Sequence, residues 1–262
     1  MLHKLIKTIA PVAALAIGAA TSGCSDANFR IGGSDGVPLA ELDRSGSAPD
    51  ELVLASPDDV VVVDGSALDI DVSGDAEAVE ALRFTLEDGA LGIMRDNDAQ
   101  RIKGKALVRV ALPSLRAITL AGSGRVTAAR LSGDVELTIA GSGSVDVAEV
   151  EAGAMDMTIA GSGSARAAGR ADSLDLTIAG SGEGAMAGLT VDRADITVAG
   201  SGDAEFASDG RVDASIMGSG TVTVNGRATC EVSSMGSGKL VCRPASADDD
   251  GDETTGEPAP AA

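Results

Sequence analysis

Six acidic side chains recur at one phase of a repeating sequence: Glu136, Asp156, Asp175, Asp195, Asp213 and Glu231. Each stands five residues before the first glycine of a Gly-Ser-Gly triplet. Three residues before that glycine there is always a hydroxyl, at Thr119, Thr138, Thr158, Thr177, Thr197, Ser215 and Ser233. Carboxylates stacked at one phase can gather divalent cations or meet a basic partner. The plainer alternative is a solvated face that keeps the chain soluble. Other reactive groups are few. The sequence has three cysteines (Cys24, Cys230, Cys242), one histidine (His3), and no Trp or Tyr. Proton transfer relies most often on His, and sugar binding often uses aromatic faces. The sequence therefore nominates no catalytic residues, no metal ligand set and no cofactor.

The cysteines divide into one and a pair. Cys24 follows a basic start with Lys4 and Lys7, an apolar run over residues 8–20, and Thr21-Ser22-Gly23. The run is shorter than the ~20 residues that span a bilayer, and the whole reads as a secretory signal. Thr21-Ser22-Gly23-Cys24 resembles the lipobox of bacterial lipoproteins, with Thr21 where that motif favours an aliphatic residue. Cys24 is thus the expected lipidation site, and a lipid there the expected link to a membrane. The remaining Cys230 and Cys242 are then an even pair in an oxidising compartment. They flank one Gly-Ser-Gly in apolar, inward slots, where they can bridge and staple the last repeat or stay as two buried thiols.

Charge narrows the partners. The chain carries 20 basic and 40 acidic residues, net −20. Without residues 1–23, which hold two lysines and no acid, the net is −22. Nucleic acid and anionic lipid both require basic patches, so neither is expected as a partner for the folded part.

The elements that hold these residues follow from the repeat. AGSG begins at Ala121, Ala140, Ala160, Ala179 and Ala199, and MGSG at Met217 and Met235, at spacings of 19, 20, 19, 20, 18 and 18. A near-fixed period marks a repeat architecture. Before the first glycines, apolar residues alternate with polar ones: Leu120, Ile139, Ile159, Ile178, Val198 and Ile216 two before, with Ser234 in the last copy; Ile118, Leu137, Met157, Leu176, Ile196, Ala214 and Val232 four before. Apolar residues resume six after it, at Ala128, Val147, Ala167, Met186, Phe206, Val224 and Cys242. Period two means a strand with one buried face. Each copy reads as strand, glycine corner, strand and a looser return: one rung of a single-stranded parallel β-helix with 18–20-residue coils, an all-β solenoid. The Gly-Ser-Gly lacks the Lys and following helix of a phosphate loop. Upstream, residues 52–55, 60–63, 68–72, 82–86 and 107–110 read as short strands of degenerate first coils and an N-terminal cap. The expected organisation is 1–23 signal peptide, 24–48 flexible linker, 49–243 solenoid with its Gly-Ser-Gly repeats over 121–238, and 244–262 a disordered acidic tail.

Residues 73–94 (SGDAEAVEALRFTLEDGALGIM), residues 107–124 (LVRVALPSLRAITLAGSG) and the triplets after them resemble the bacterial head GIN domain family, named for auto-transporter adhesins. The Gly-Ile-Asn of the name is replaced here by AGSG and MGSG. The resemblance implies a right-handed parallel β-helix in the envelope of a Gram-negative bacterium, in the periplasm or on the outer membrane. It brings no catalytic residues. Together these features lead to an exported, envelope-anchored, non-catalytic scaffold or adhesion-type binding module for an envelope protein or glycan. The alternatives are a divalent-cation-binding surface protein and, further off, a polysaccharide-active β-helix enzyme.

Overall fold

The computed structural model describes residues 35–96, 99 and 102–243. The expected signal peptide, Cys24 and the segment 244–262 lie outside them. The fold is a β-solenoid of about seven turns. Long strands form the stack: β8 (Arg125–Gly141), β9 (Ser144–Gly161), β10 (Ser164–Gly180), β11 (Glu183–Gly200) and β12 (Asp203–Gly218). Each pairs in parallel with the next. The first half of each strand follows a glycine corner and the second half leads to the next, so the two halves lie in two opposed sheets. Every other side chain turns inward and is buried, from Val126 and Ile139 in β8 to Phe206 and Ile216 in β12. These Val, Ile, Leu, Ala and Met side chains merge into one continuous core.

The corners explain the glycines. All seven first glycines, Gly122 to Gly236, have positive φ between 119° and 133°, where a Cβ is strained. They also stack in register. A Cβ at Gly180 would lie 2.4 Å from the carbonyl oxygen of Gly161 on the coil below. That approach is put to use. The N–H of each middle serine donates to the first-glycine carbonyl of the preceding coil: Ser142 to Gly122, Ser162 to Gly141 and Ser181 to Gly161, each at 2.9 Å. The second glycines have ordinary φ but are equally crowded. At Gly182 a Cβ would meet Ile159 Cγ2 at 2.4 Å.

Variation in coil length is absorbed elsewhere. Register shifts fall on the return side, at Gly133/Asp134, Ala167/Gly169 and Met186/Thr190. A bulge admits an extra residue there, while corner and core positions stay aligned.

The N-terminal end departs from the repeat. β1 (Glu51–Ala55) and β2 (Asp59–Asp64) form a first coil whose corner is Ser56-Pro57-Asp58 in place of Gly-Ser-Gly. They pair in parallel with β7 (Ala117–Gly122) and with β8. β5 (Ala90–Arg95) and β6 (Ala106–Leu112) extend the two sheets by parallel pairing with β1 and β2. β4 (Leu82–Glu87) and β3 (Asp69–Gly74) then close them as antiparallel strands. A one-turn helix, α1 (Ala76–Ala81), links β3 to β4 and is capped by the Asp75 side chain. The expectation of strands at 52–55, 60–63, 68–72, 82–86 and 107–110 matches β1, β2, β3, β4 and β6. β5 and α1 went unanticipated. Part of the expected linker belongs to this cap as well: Val37 bridges Phe84 and Leu39–Glu41 forms a 3₁₀ turn.

A buried ion pair joins the odd corner to the cap. Asp58 is 0% exposed and its Arg95 partner 8%. The guanidinium binds both carboxylate oxygens and also donates to the carbonyls of Ile102 and Gly104. The Ala106 N–H donates to the same carboxylate at 2.8 Å. A buried charge is tolerated only when satisfied this completely.

At the C-terminal end, β13 (Thr221–Asn225) and β15 (Lys239–Arg243) extend one sheet and β14 (Thr229–Gly236) the other. Cys230 on β14 and Cys242 on β15 are joined by a disulfide, with Cα atoms 6.8 Å apart, closing the last coil. Inward slots here are no longer buried, because no further coil follows among the described residues: Val232 is 53% exposed.

The corner geometry makes one substitution costly and a nearby one cheap. Gly180→Val combines positive φ with a backbone clash and should destabilise by roughly 1–3 kcal/mol or more. Gly153→Ala sits in a return bulge, with Asp134 Oδ1 the nearest atom to a new Cβ, at 3.9 Å, and should be nearly neutral. Thermal melting followed by far-ultraviolet circular dichroism measures both. Equal midpoints for the two variants would contradict the corner account.

Candidate functional surface

The expected acidic column exists and is in register. Glu136, Asp156, Asp175, Asp195, Asp213 and Glu231 are consecutive partners across β8 to β12 and β14. Alternation decides where they point: their neighbours Val135 and Leu137, or Leu174 and Leu176, are buried, so the carboxylates project outward. The Thr/Ser column lies beside them, two residues further along each strand, and Ala140, Ala160, Ala179, Ala199, Met217 and Met235 follow. One outer face is therefore a lattice of acid, hydroxyl and small or thioether side chains, repeated on coils about 4.8 Å apart.

Parallel register forces like charges into neighbouring positions, which is unfavourable. Asp175 sits mid-column. Its carboxyl is pushed above the usual carboxylate range, first by loss of water between flanking coils and then by Asp156 and Asp195. The column ends differently. Arg211 ion-pairs with Asp213 at 2.8 Å and reaches Glu231 at 3.0 Å, and the Arg211 hydrogen bonds hold the Asp213 carboxyl below its usual range. At the other end the column continues through Ala117 to Glu51, which with Asp50 is engaged by Arg116. Arg211, two residues from Asp213 and so on the same strand face, was the visible signal for a second cation. A shallow groove of about 290 Å³ runs along Asp195, Thr197, Asp213, Ser215, Glu231 and Ser233.

The opposite sheet behaves otherwise. There opposite charges meet between coils: Arg125 and Arg166 both approach Asp146, and nearer the return Arg130 meets Glu149 and Arg170 meets Asp192. Each such surface pair contributes at most about 1 kcal/mol. That sheet also stacks Glu183 on Asp203, with Glu205 beside them, so the six-membered column is the longer of two acidic runs on the stack.

Among the described residues no three His, Cys, Asp or Glu side chains are grouped as a metal site would need. No helix among them is long and apolar enough to cross a membrane.

Comparison with known proteins agrees with this architecture. The model of a family described as "putative auto-transporter adhesin, head GIN domain" matches residues 48–228. No curated protein is significantly similar to the chain. Among solved structures, a "putative adhesin" from Bacteroides fragilis superposes with a TM-score of 0.70 at 20% identity, covering 75% of this chain and 93% of the other. A "putative lipid binding protein" from Parabacteroides distasonis gives 0.59 at 21% identity, with 75% and 93% covered. A "putative adhesin" from Parabacteroides merdae gives 0.55 at 18%, with 75% and 92% covered. At these identities the likeness is one of fold.

The column's electrostatics set opposite pH responses for two of its members. A raised folded-state pKa means Asp175 contributes stability at low pH that is lost as pH rises through that pKa. Ionised, it therefore opposes folding at neutral pH. Asp175→Asn should raise the melting midpoint at pH 7, and the gain should fade below about pH 4, where carboxyls protonate in both states. The Asp213 pKa is lowered, so its contribution is present at neutral pH and lost in acid; Asp213→Asn should give no gain at pH 7. Melting curves of both variants from pH 3 to pH 7 test this. A neutral-pH loss for Asp175→Asn would overturn it.

Proposed function

The chain belongs to the head GIN domain family, and we propose that it acts as an exported, envelope-anchored binding module with no catalytic chemistry of its own. The observation that carries this is the lattice on one outer face. The same acid–hydroxyl–alanine row is presented coil after coil, in fixed register. Such a surface suits an extended or repetitive partner, an envelope protein or a glycan, better than a single small substrate. The described residues contain no histidine, tyrosine or tryptophan, so the commonest general base and the usual sugar-stacking faces are missing from them. The structural relatives carry names of adhesins and of a lipid-binding protein, which favour a binding role. Net charge of −20 and the acidic column make anionic headgroups poor ligands for this face. Export and anchoring rest on the signal-like residues 1–23 and on Thr21-Ser22-Gly23-Cys24.

Two arms test the reading. The precursor made in a Gram-negative host should incorporate labelled palmitate and sediment with membranes, and Cys24→Ala should abolish both. For binding, the mature chain is compared with a variant carrying Glu136→Gln, Asp156→Asn, Asp175→Asn and Asp195→Asn on immobilised envelope glycans and proteins. Loss of at least tenfold in retained ligand is expected. Equal retention by both would remove the acidic face from the function.

A further inference from the structure

The two ends of the stack are finished differently. At the N-terminal end antiparallel β3 and β4 close the sheets, Val37 pairs with β4, and Leu39, Leu42 and Val79 pack on the core. At the C-terminal end, among the described residues, β14 pairs only with β12, and β15 only with β13. Of the inward side chains there, Val232 and Cys242 are exposed, and Cys230 and Leu240 are half-buried. The backbone is open as well. The Lys239 N–H donates to Gly220 and the Arg243 carbonyl accepts from Gly226, so both residues are spent on the preceding coil. Alternate residues of a strand address opposite edges, so Leu240 and Cys242 aim their N–H and C=O groups onward. On β14, Glu231 repeats the position of Glu136, whose N–H donates back to Arg116. Cys230, Val232 and Ser234 therefore aim onward too. A free strand edge is a template for pairing with another chain.

An occupant must meet two edges at once. At the disulfide their Cα atoms are 6.8 Å apart. A single added strand pairs with one edge and leaves the other open, whereas the same end of a second copy presents two edges at the same spacing. A closed contact between two copies needs a two-fold axis, and only two such axes lay sheet on sheet. An axis across the strands sets β15 on the partner's β15, cation beside cation. An axis along the strands sets β14 antiparallel on the partner's β15. The disulfide fixes the register of that second arrangement. It joins the residues six before and six after Gly236, so equal offsets from this glycine lie opposite each other across the core. Val232 then meets the partner's Leu240 and Cys230 the partner's Cys242, inward on inward, with free backbone groups facing in both pairs. Glu231 meets the partner's Val241, diagonal to the partner's Lys239 and Arg243 and within reach of both.

Charge selects this axis. Residues 221–243 hold Arg227, Lys239 and Arg243 against Glu231 alone, in a chain with twice as many acids as bases. Lys239 and Arg243 pair with no acid among the described residues. The acids below them on that face are engaged elsewhere: Asp203 accepts from the Thr221 N–H at 2.7 Å and Glu205 from the Asn225 amide at 3.0 Å. Glu231 is 62% exposed and keeps acceptor capacity beside Arg211.

We propose that two copies of the chain dock end to end through their open C-terminal coils, about a two-fold axis along the strands, with β14 of each pairing with β15 of the other. The two cores become one, and Val232 and Leu240 are covered. The acidic column of each copy stays open, on opposite sides of the dimer, and the capped N-terminal ends point apart.

Sedimentation velocity tests this on the mature chain with Cys24→Ala, which removes a thiol able to cross-link copies. Two short strand edges and a narrow core make a small interface, so the titration spans about 1–200 µM. The expected result is a concentration-dependent dimer and nothing larger. Glu231→Lys, and separately K239E/R243E, should each weaken it at least tenfold, and the three changes together should restore it. A general dependence on net charge would not give that restoration, because the triple variant is more acidic than the parent. Circular dichroism midpoints check that each variant is folded. The parent chain is decisive by itself: a monomer at every concentration, or an open-ended assembly, overturns the proposal. So does a dimer indifferent to the charge swaps, or one that K239E/R243E abolishes and the triple change fails to restore.

Discussion

One contact sets the geometry of this molecule: the first glycine of each corner lying on the glycine carbonyl of the coil below. It requires positive φ, tolerates no Cβ, and supplies a hydrogen bond from the following serine at every step. Because the corner repeats in register, the residues before it must repeat in register too. Inward positions then stack into one core of medium-sized aliphatic side chains, and a narrow interior of this kind is filled almost without aromatics. The coils differ by one or two residues in length, yet those differences appear only at the return bulges.

The same constraint distributes charge. Fixed register cannot separate six carboxylates placed at one phase of the repeat, so the column forms whether or not it favours folding. Asp175 bears the cost most plainly. Arg116 and Arg211 ease the two ends, while the opposite sheet sets Arg against Asp or Glu between coils. A row of carboxylates that recurs in every coil from the second corner onward, with a cost to folding at Asp175, invites a role outside folding, and the lattice of acids and hydroxyls is where the binding reading rests.

Much of the stack was legible in the sequence because its rules are local. Glycine spacing gave the coil, and alternation gave the buried and exposed faces, including the phase of the acidic column. The cap was harder. β5 is buried on both faces along Ala90–Met94, so period two vanishes just where a strand exists. α1 is one turn long and too short to show a helical period. The Asp58–Arg95 pair spans 37 residues and depends on a corner without glycine, so neither partner is marked by the repeat. At the other end the inward pattern read correctly, yet Val232 and Cys242 are exposed, because burial needs a further coil and sequence phase alone does not say where the stack stops.

The central claim is tested most directly by hydrogen exchange at the corners. Serine amides in exposed Gly-Ser-Gly turns ordinarily exchange fast, since such loops open at little cost. If the corners form an inter-coil ladder, the amides of Ser142, Ser162, Ser181 and Ser201 should exchange as slowly as those of buried strand residues such as Ile159 and Ile178. Residue-resolved exchange by nuclear magnetic resonance on the folded chain would show it. Rapid exchange at these four serines, beside slow exchange at the isoleucines, would contradict the account.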